Sequence, residues 1–384
     1  MIARILEPKL RLAKKSVLLL GPRQVGKSTL MKKLSPDLAI NLIRKQEYLA
    51  FSQNPGELEA RIRATNPAVI LIDEVQRIPE ILNTVQDLID NNPGKYRFLL
   101  TGSSARKLKR GNANLLPGRI FSYRLGPLAS LELDHQMDTN LALQIGTLPE
   151  PYLSQDLEFS KKLLRTYSAT YLQEEILAET LLRDIQGFSR FLAVAAENSG
   201  KFLDFSKLSH RSKVSRGAAR RYYEILEDTL LCDRLEAFEN EALDLVKHPK
   251  FYLFDTGVLN GCLENFSASG DRKGLLFEHL FFNQLKNTAY ALDIPLKINH
   301  FRTRGGLEID FIITVSDRIF AVELKSTDPA PSELSSIRSI DPRHFQYPLE
   351  KYVACIDCTP KKVGEINILP WQMVLQRIFS GHSI

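Results

Sequence analysis

Short apolar runs that stop abruptly at a glycine or an acid recur along the early part of the chain. Residues 17–20 (VLLL) stop at Gly21-Pro22, 69–72 (VILI) at Asp73-Glu74, and 98–101 (FLLT) at Gly102-Ser103-Ser104. Unbroken runs of this length suit strands covered on both faces, as in a parallel sheet flanked by helices. A helix opens at 29–34 (TLMKKL). From 147 to about 185 glycine is sparse and aromatic and aliphatic residues recur, which predicts a helical lid or linker. Beyond Gly187 the pattern predicts three short helices, at 188–198, 206–213 and 215–231. Ser215 is the expected N-cap of the last, along which Ala219, Tyr222, Tyr223, Leu226 and Leu230 share a core-facing stripe. The final third predicts a helix at 272–287, a strand at 307–313, a turn at Ser316-Asp317 and a strand at 319–324. The expected fold class is α/β. Its expected domains are a nucleotide-binding core (1–135), a helical lid (136–186), a winged-helix-like segment (187–255) and a second α/β domain (256–384).

The first break carries the clearest chemistry. Gly21, Pro22, Arg23, Gln24, Val25, Gly26, Lys27, Ser28 and Thr29 spell G-x-x-x-x-G-K-S-T between a strand and a helix. Glycines there let successive backbone N–H groups turn inward around phosphate oxygens, and the following helix start favours the same anion. Lys27 is placed to reach the β- and γ-phosphates of ATP, and the Ser28 hydroxyl to ligate Mg²⁺. Asp73 would hold the same Mg²⁺ and Glu74 would orient the attacking water. Ser103, at the tip of the third run, fits a contact to that water or to the γ-phosphate; a turn that caps the next helix fits equally. Residues 103–124 hold six basic side chains and no acid: Arg106, Lys107, Lys109, Arg110, Arg119 and Arg124. Arg119 is the candidate cation for a γ-phosphate, in its own subunit or a neighbour's, the second case making the protein a homo-oligomer; a solvated surface arginine fits equally.

Charge singles out a second region. Between Lys201 and Arg221 lie seven basic residues against one acid, Asp204. Lys213, Arg216, Arg220 and Arg221 cluster at the turn and first half of the third short helix, an arrangement for DNA phosphates rather than base edges; a protein-interaction module and a solvated charged face are the alternatives. A third constellation follows. Glu278 lies within the helix at 272–287, Asp310 on the first strand after it, and Glu323 and Lys325 on one face of the next. Paired as a hairpin, Asp310 and Glu323 would share a divalent cation, with Lys325 polarising a phosphate and Glu278 closing the site. The same carboxylates equally suit ion pairs with Lys325, Arg302 or Arg304.

Composition adds little. The 384 residues carry a formal charge of +6 and are 44% hydrophobic, ordinary for a globular protein with room for several domains. No stretch reaches the length of a membrane span. Cys232, Cys262, Cys355 and Cys358 read as buried thiols in a reducing compartment, and the C-x-x-C has no second pair to complete a zinc site. The expected location is the cytoplasm.

Taken together, GPRQVGKST, LIDEVQ, FLLTGSS, LPGRIFSYRLGPLA, TYLQEEIL, FYLFDTGVL, GLLFEHLFFNQL and EIDFII…VELKS resemble a family of bacterial and archaeal AAA-like P-loop ATPases. The C-terminal part of that family is similar to the PD-(D/E)xK, restriction-endonuclease-like superfamily. The resemblance implies that Lys27, Ser28, Asp73 and Glu74 serve ATP, and that Glu278, Asp310, Glu323 and Lys325 hold the nuclease positions. Leu307-Glu308-Ile309 stands before Asp310 where the superfamily's name has proline. The implied function is an ATP-driven protein that processes DNA ends or branches. The alternative is a regulatory ATPase whose C-terminal region docks a protein partner and cleaves nothing.

Overall fold

A computed structural model describes residues 2–104, 116–171, 184–240 and 243–382. The chain forms two compact units, Met1–Pro127 with Asp228–Leu231, and Leu128–Glu227 with Cys232–Ile384.

The first unit is built on a five-stranded sheet of β1 (Ser16–Leu20), β2 (Leu38–Asn41), β3 (Val69–Asp73), β4 (Arg97–Gly102) and β5 (Ile120–Arg124), in the order β2-β3-β4-β1-β5. Every pair is parallel. β1 is buried at all five positions, which is why its sequence is apolar without alternation. Leu18, Leu20, Ile70, Ile72, Phe98 and Leu100 form the core with helix residues such as Leu82 and Val85. The polar ends of β1, β3 and β4 thus emerge side by side at the carboxyl edge, the usual ligand site of an open parallel sheet.

In the second unit, β6 (Cys232–Ala237), β7 (Lys250–Leu253), β8 (Lys297–Arg302), β9 (Glu308–Val315), β10 (Arg318–Lys325), β11 (Leu349–Cys355), β12 (Lys361–Val363) and β13 (Ile366–Pro370) form one mixed sheet, ordered β12-β13-β11-β10-β9-β8-β6-β7. The boundary expected at 255/256 falls inside this unit, because β6 pairs with β8 across it. The first expected boundary, 135/136, compares with a unit break after Pro127.

The three short helices are Ile185–Glu197, Phe205–Ser212 and Arg216–Asp228. Ser215 Oγ accepts from the Ala218 amide at 3.1 Å, as an N-cap does. Leu230 departs from the predicted stripe: the helix ends at Asp228, and Leu230 takes a left-handed φ of 61° beyond it. The expected lid resolves into Thr139–Ile145, Pro149–Leu153, Leu157–Thr166 and a π-turn at Tyr167–Tyr171; the remainder of TYLQEEIL lies outside the described residues. Cys232 and Cys355 are buried, whereas Cys262 and Cys358 are only partly so; all four are free thiols.

Asp255 ties this unit together. Its fully enclosed carboxylate accepts from the amides of Thr147 at 2.7 Å, Gly257 at 2.8 Å and Val258 at 3.1 Å. Burial pushes its pKa up to about 6 against the pull of those amides. An Asp255→Ala chain is expected to lose about 3 kcal/mol of stability in denaturant titration at pH 7, since three enclosed donors lose their acceptor.

Candidate functional site

The loop after β1 is shaped by two left-handed residues, Gln24 (φ 64°) and Gly26 (φ 96°). Gly21 cannot be replaced cheaply: a Cβ there would lie 2.1 Å from the Leu125 carbonyl oxygen. The Gly21 amide donates to Gly102 O at 3.2 Å, so the loop is pinned to the end of β4. Arg4 braces it from behind, donating to Val25 O at 2.7 Å and Gly126 O at 2.9 Å. The helix Lys27–Lys32 follows, two residues earlier than its sequence predicts.

Lys27 is 4% exposed. Its ammonium donates to Gly21 O at 2.9 Å and Pro22 O at 2.8 Å and lies 3.8 Å from Glu74 Oε1. Ser28 Oγ donates to Asp73 Oδ1 at 2.8 Å. That is the oxygen pair expected to share a Mg²⁺ ion, and two hard oxygen donors at the mouth of a phosphate loop fit one. Thr101, not singled out in the sequence, also donates to Asp73 Oδ1, at 2.5 Å, and accepts from the Glu74 amide at 3.0 Å. Glu74 itself has left-handed backbone (φ 62°). Its Oε2 accepts from Ser103 Oγ at 3.0 Å and from Gln76 Nε2, and Gln76 also donates to Ser103 Oγ at 2.8 Å. Ser103 therefore sits in the site, but on Glu74. Gln76 was missed although it stands two residues after Glu74 in the same DEVQ stretch.

Arg119 is corrected as a cation for its own loop. In β5, Ile120 lies opposite Ser16 and Arg124 opposite Leu20. Arg119 precedes Ile120, at the amino-terminal edge, roughly 15 Å from the loop at the usual strand rise. There it forms a two-pronged pair with Asp90, at 2.7 and 2.8 Å. Arg106, Lys107, Lys109 and Arg110 lie outside the described residues. Arg124, by its register beside Leu20, is at the loop's end of the sheet.

In the second unit the antiparallel pairing of β9 with β10 runs from Arg318–Val315 to Val322–Phe311, which makes Asp310 and Glu323 the next facing positions. Asp310 Oδ2 accepts from the Leu324 amide at 2.7 Å. Burial, then the charges of Glu278 and Glu323, push the Asp310 pKa up to about 8. Burial raises Glu323 as well, against the pull of Lys325, whose Nζ is 3.7 Å from Glu323 Oε1. Glu323 Oε2 is buried with no hydrogen-bond partner among the described residues. An orphaned carboxylate oxygen beside a second carboxylate fits a divalent cation held by Asp310 and Glu323. Among the described residues no group of three or more Asp, Glu, His or Cys side chains is arranged to hold a metal. Glu278 is engaged elsewhere: its Oε1 accepts from Lys250 Nζ at 2.8 Å and from the Tyr252 hydroxyl at 2.5 Å. Lys250 and Tyr252, both on β7, were missed. Their alternation in KFYL placed them on one face, but nothing local said which face.

Lys213, Arg216, Arg220 and Arg221 are all exposed. Lys213 has left-handed backbone at the end of the second short helix, and Arg220 stacks over Phe205 at 5.2 Å. The hairpin β6–β7 follows this helix pair.

Residues 13–133 match the family described as AAA domain. They form an AAA-like ATPase domain. Beyond that AAA domain, residues 137–269 and 273–374 match two families each described as a domain of unknown function (DUF8612 and DUF4143). Uncharacterized proteins of Mycobacterium tuberculosis (Rv2008c) and Mycobacterium bovis (Mb2031c) are each 27% identical over 339 residues, covering 84% of this chain and 73% of theirs. Among solved structures, a signal-transduction ATPase with a tetratricopeptide-repeat sensor from Pyrococcus horikoshii is 13% identical, with a TM-score of 0.27 over 76% of this chain. The chain spans 47% of that protein's length. A DNA replication initiation factor is 11% identical over 59% of this chain and 89% of its own, with a TM-score of 0.27. Among the described residues, no helix is long and apolar enough to cross a membrane.

Proposed function

We propose that this protein is an ATP hydrolase that acts on DNA as a homo-oligomer, with a winged-helix-like DNA contact and a restriction-endonuclease-like site in its second unit. The single observation that carries the ATPase reading is the joint placement of Lys27, Ser28, Asp73 and Glu74 at the mouth of one glycine-shaped loop. The amides of Gly21–Thr29 would cradle ATP, and Lys27 would exchange the Gly21 and Pro22 carbonyls for phosphate oxygens. Ser28 and Asp73 would hold Mg²⁺, which offsets charge on the phosphates when bound. Glu74 would orient water once released by Ser103 and Gln76. Arg119, at the far edge of its own sheet, would serve only a neighbouring subunit, and only after leaving Asp90.

For DNA the support is the exposed quartet Lys213, Arg216, Arg220 and Arg221 on a helix–turn–helix followed by a hairpin. Phosphate contacts of this kind suit ends and branches without regard to sequence. In the nuclease-like site, Asp310 and Glu323 would hold Mg²⁺ while Lys325 stabilises a developing oxyanion. The deciding experiment measures ATP hydrolysis with no DNA and with duplex, single-stranded and branched DNA, in Mg²⁺, while scoring cleavage products. DNA is expected to raise turnover, and binding is expected to weaken steeply with salt. In an Arg216→Ala/Arg220→Ala protein, the slope of log affinity against log salt is expected to fall by about 1.8 units. Weak, salt-insensitive binding by the parent protein removes the DNA reading.

One observation favours a second reading. Ion pairing of Glu278, Glu308 and Glu323 with Lys250, Arg302 and Lys325 fits a retained fold that docks a protein partner. Wild-type protein that hydrolyses ATP yet cleaves no DNA form selects it.

A further inference from the structure

The acidic cluster of the second unit contains a cation of its own. Lys250 lies on β7, a strand buried at all four positions, and is 4% exposed. Its ammonium donates to Glu278 Oε1 at 2.8 Å, lies 4.0 Å from Glu308 Oε1, and sits 4.8 Å from the centre of the Phe202 ring. Tyr252, two residues on and so on the same face, donates to the same Glu278 oxygen. Burial pulls the pKa of this amine down, but Glu278, Asp310 and Glu308 outweigh burial and raise the pKa above the ordinary lysine value. The arrangement is expensive to build: an enclosed lysine costs stability unless its charge is met. It is also specific, since Phe202 and Glu278 come from separate segments and converge on one amine, while Tyr252 fixes the Glu278 oxygen that the amine uses.

We propose that Lys250 is a resident counter-ion that keeps the cluster in a metal-excluding state and must leave Glu278 before Asp310 and Glu323 take up a divalent cation. This rests on the proposed metal-binding role of those two carboxylates. Two facts support it. Among the described residues Glu323 Oε2 has no hydrogen-bond partner, so the ammonium leaves a carboxylate oxygen unserved that a cation would serve. Glu278, one of the two carboxylates acting on Asp310, is engaged by the ammonium, in keeping with the absence of a three-ligand group among the described residues. A doubly charged ion beside Asp310 would add a second positive charge to the cluster that already holds the ammonium, and like charges repel.

The test is Mn²⁺ titration of the full, nucleotide-free chain by calorimetry. Binding that disappears with Glu323→Gln is assigned to this site, which separates it from the phosphate loop. Lys250→Met is expected to tighten that binding by about tenfold or more, and the gain is expected to vanish in Lys250→Met/Glu323→Gln. Lys250→Arg keeps the charge and is expected to bind Mn²⁺ as wild type does. Unchanged or weaker affinity in Lys250→Met overturns the proposal. Should Lys250→Met not fold, wild type serves instead: saturating Mn²⁺ is expected to raise acylation of the Lys250 amine several-fold, read by peptide mass spectrometry. Equal labelling with and without Mn²⁺ also overturns it. Tighter Mn²⁺ binding without DNA cleavage keeps this inference and removes the nuclease reading. Mg²⁺-dependent cleavage with no effect of Lys250 on metal affinity does the reverse. Failure of every variant to bind Mn²⁺ through Glu323 removes both.

Discussion

Lys27→Ala protein is expected to fold and to hydrolyse ATP at least about a hundredfold more slowly than the parent at saturating nucleotide, measured as phosphate release. The reason is the position of the ammonium. It is enclosed, 3.8 Å from Glu74, and donates to two loop carbonyls that a triphosphate can replace. A charge kept at low dielectric and already oriented costs nothing to reorganise when the γ-phosphate leaves. Alanine removes it without filling the space. Gly21 and Pro22 would lose a donor each, roughly 1 kcal/mol apiece, so the melting temperature is expected to fall modestly. Turnover at the parental rate would remove the ATPase reading altogether.

The second large effect is expected at Asp310, in metal-free protein kept in chelator. Burial and then Glu278 and Glu323 push its pKa from 3.8 to about 8. Between those values the folded chain keeps a proton that the unfolded chain has released. Stability from this group is therefore complete below about pH 4, declines as pH rises, and is gone above about pH 8. Asparagine imitates the protonated form, so the advantage of Asp310→Asn over wild type is expected to grow across that window and then level off. Asp310 keeps some contact with solvent, which limits the effect to a few kcal/mol. Denaturant titrations at pH 4, 6 and 8 read it directly, and parallel curves for the two proteins would contradict it. The same variant is expected to abolish any Mg²⁺-dependent DNA cleavage shown by the parent.

The phosphate loop and its acidic strand were legible because every residue of the set sits at a strand end, where chain direction alone fixes the neighbourhood. The pairing of Asp310 with Glu323 was legible for a similar reason, as a hairpin joins them. Arg119 was misplaced because its distance from the loop depends on the register of β5 against β1, which no local pattern carries. Lys250 was invisible as a site residue because β7 precedes Glu278 by a whole helix and reaches it only through tertiary packing. Thr101 and Arg4 belong to the same class: a common residue type acquires its role only when strands from distant parts of the chain are laid side by side. Gln76 is different, since its DEVQ neighbourhood was in view and only its bond to Ser103 was not.

The pairing of β6 with β8 limits how this molecule can be divided. A fragment beginning at Thr256 would keep both strand carboxylates yet lose the sheet's last two members, baring the backbone of β8 to any passing chain. It would also shed the amine that neutralises Glu278. Such a piece would be sticky and overcharged at once, so whatever this acidic cluster does is work for a chain that keeps β6 and β7.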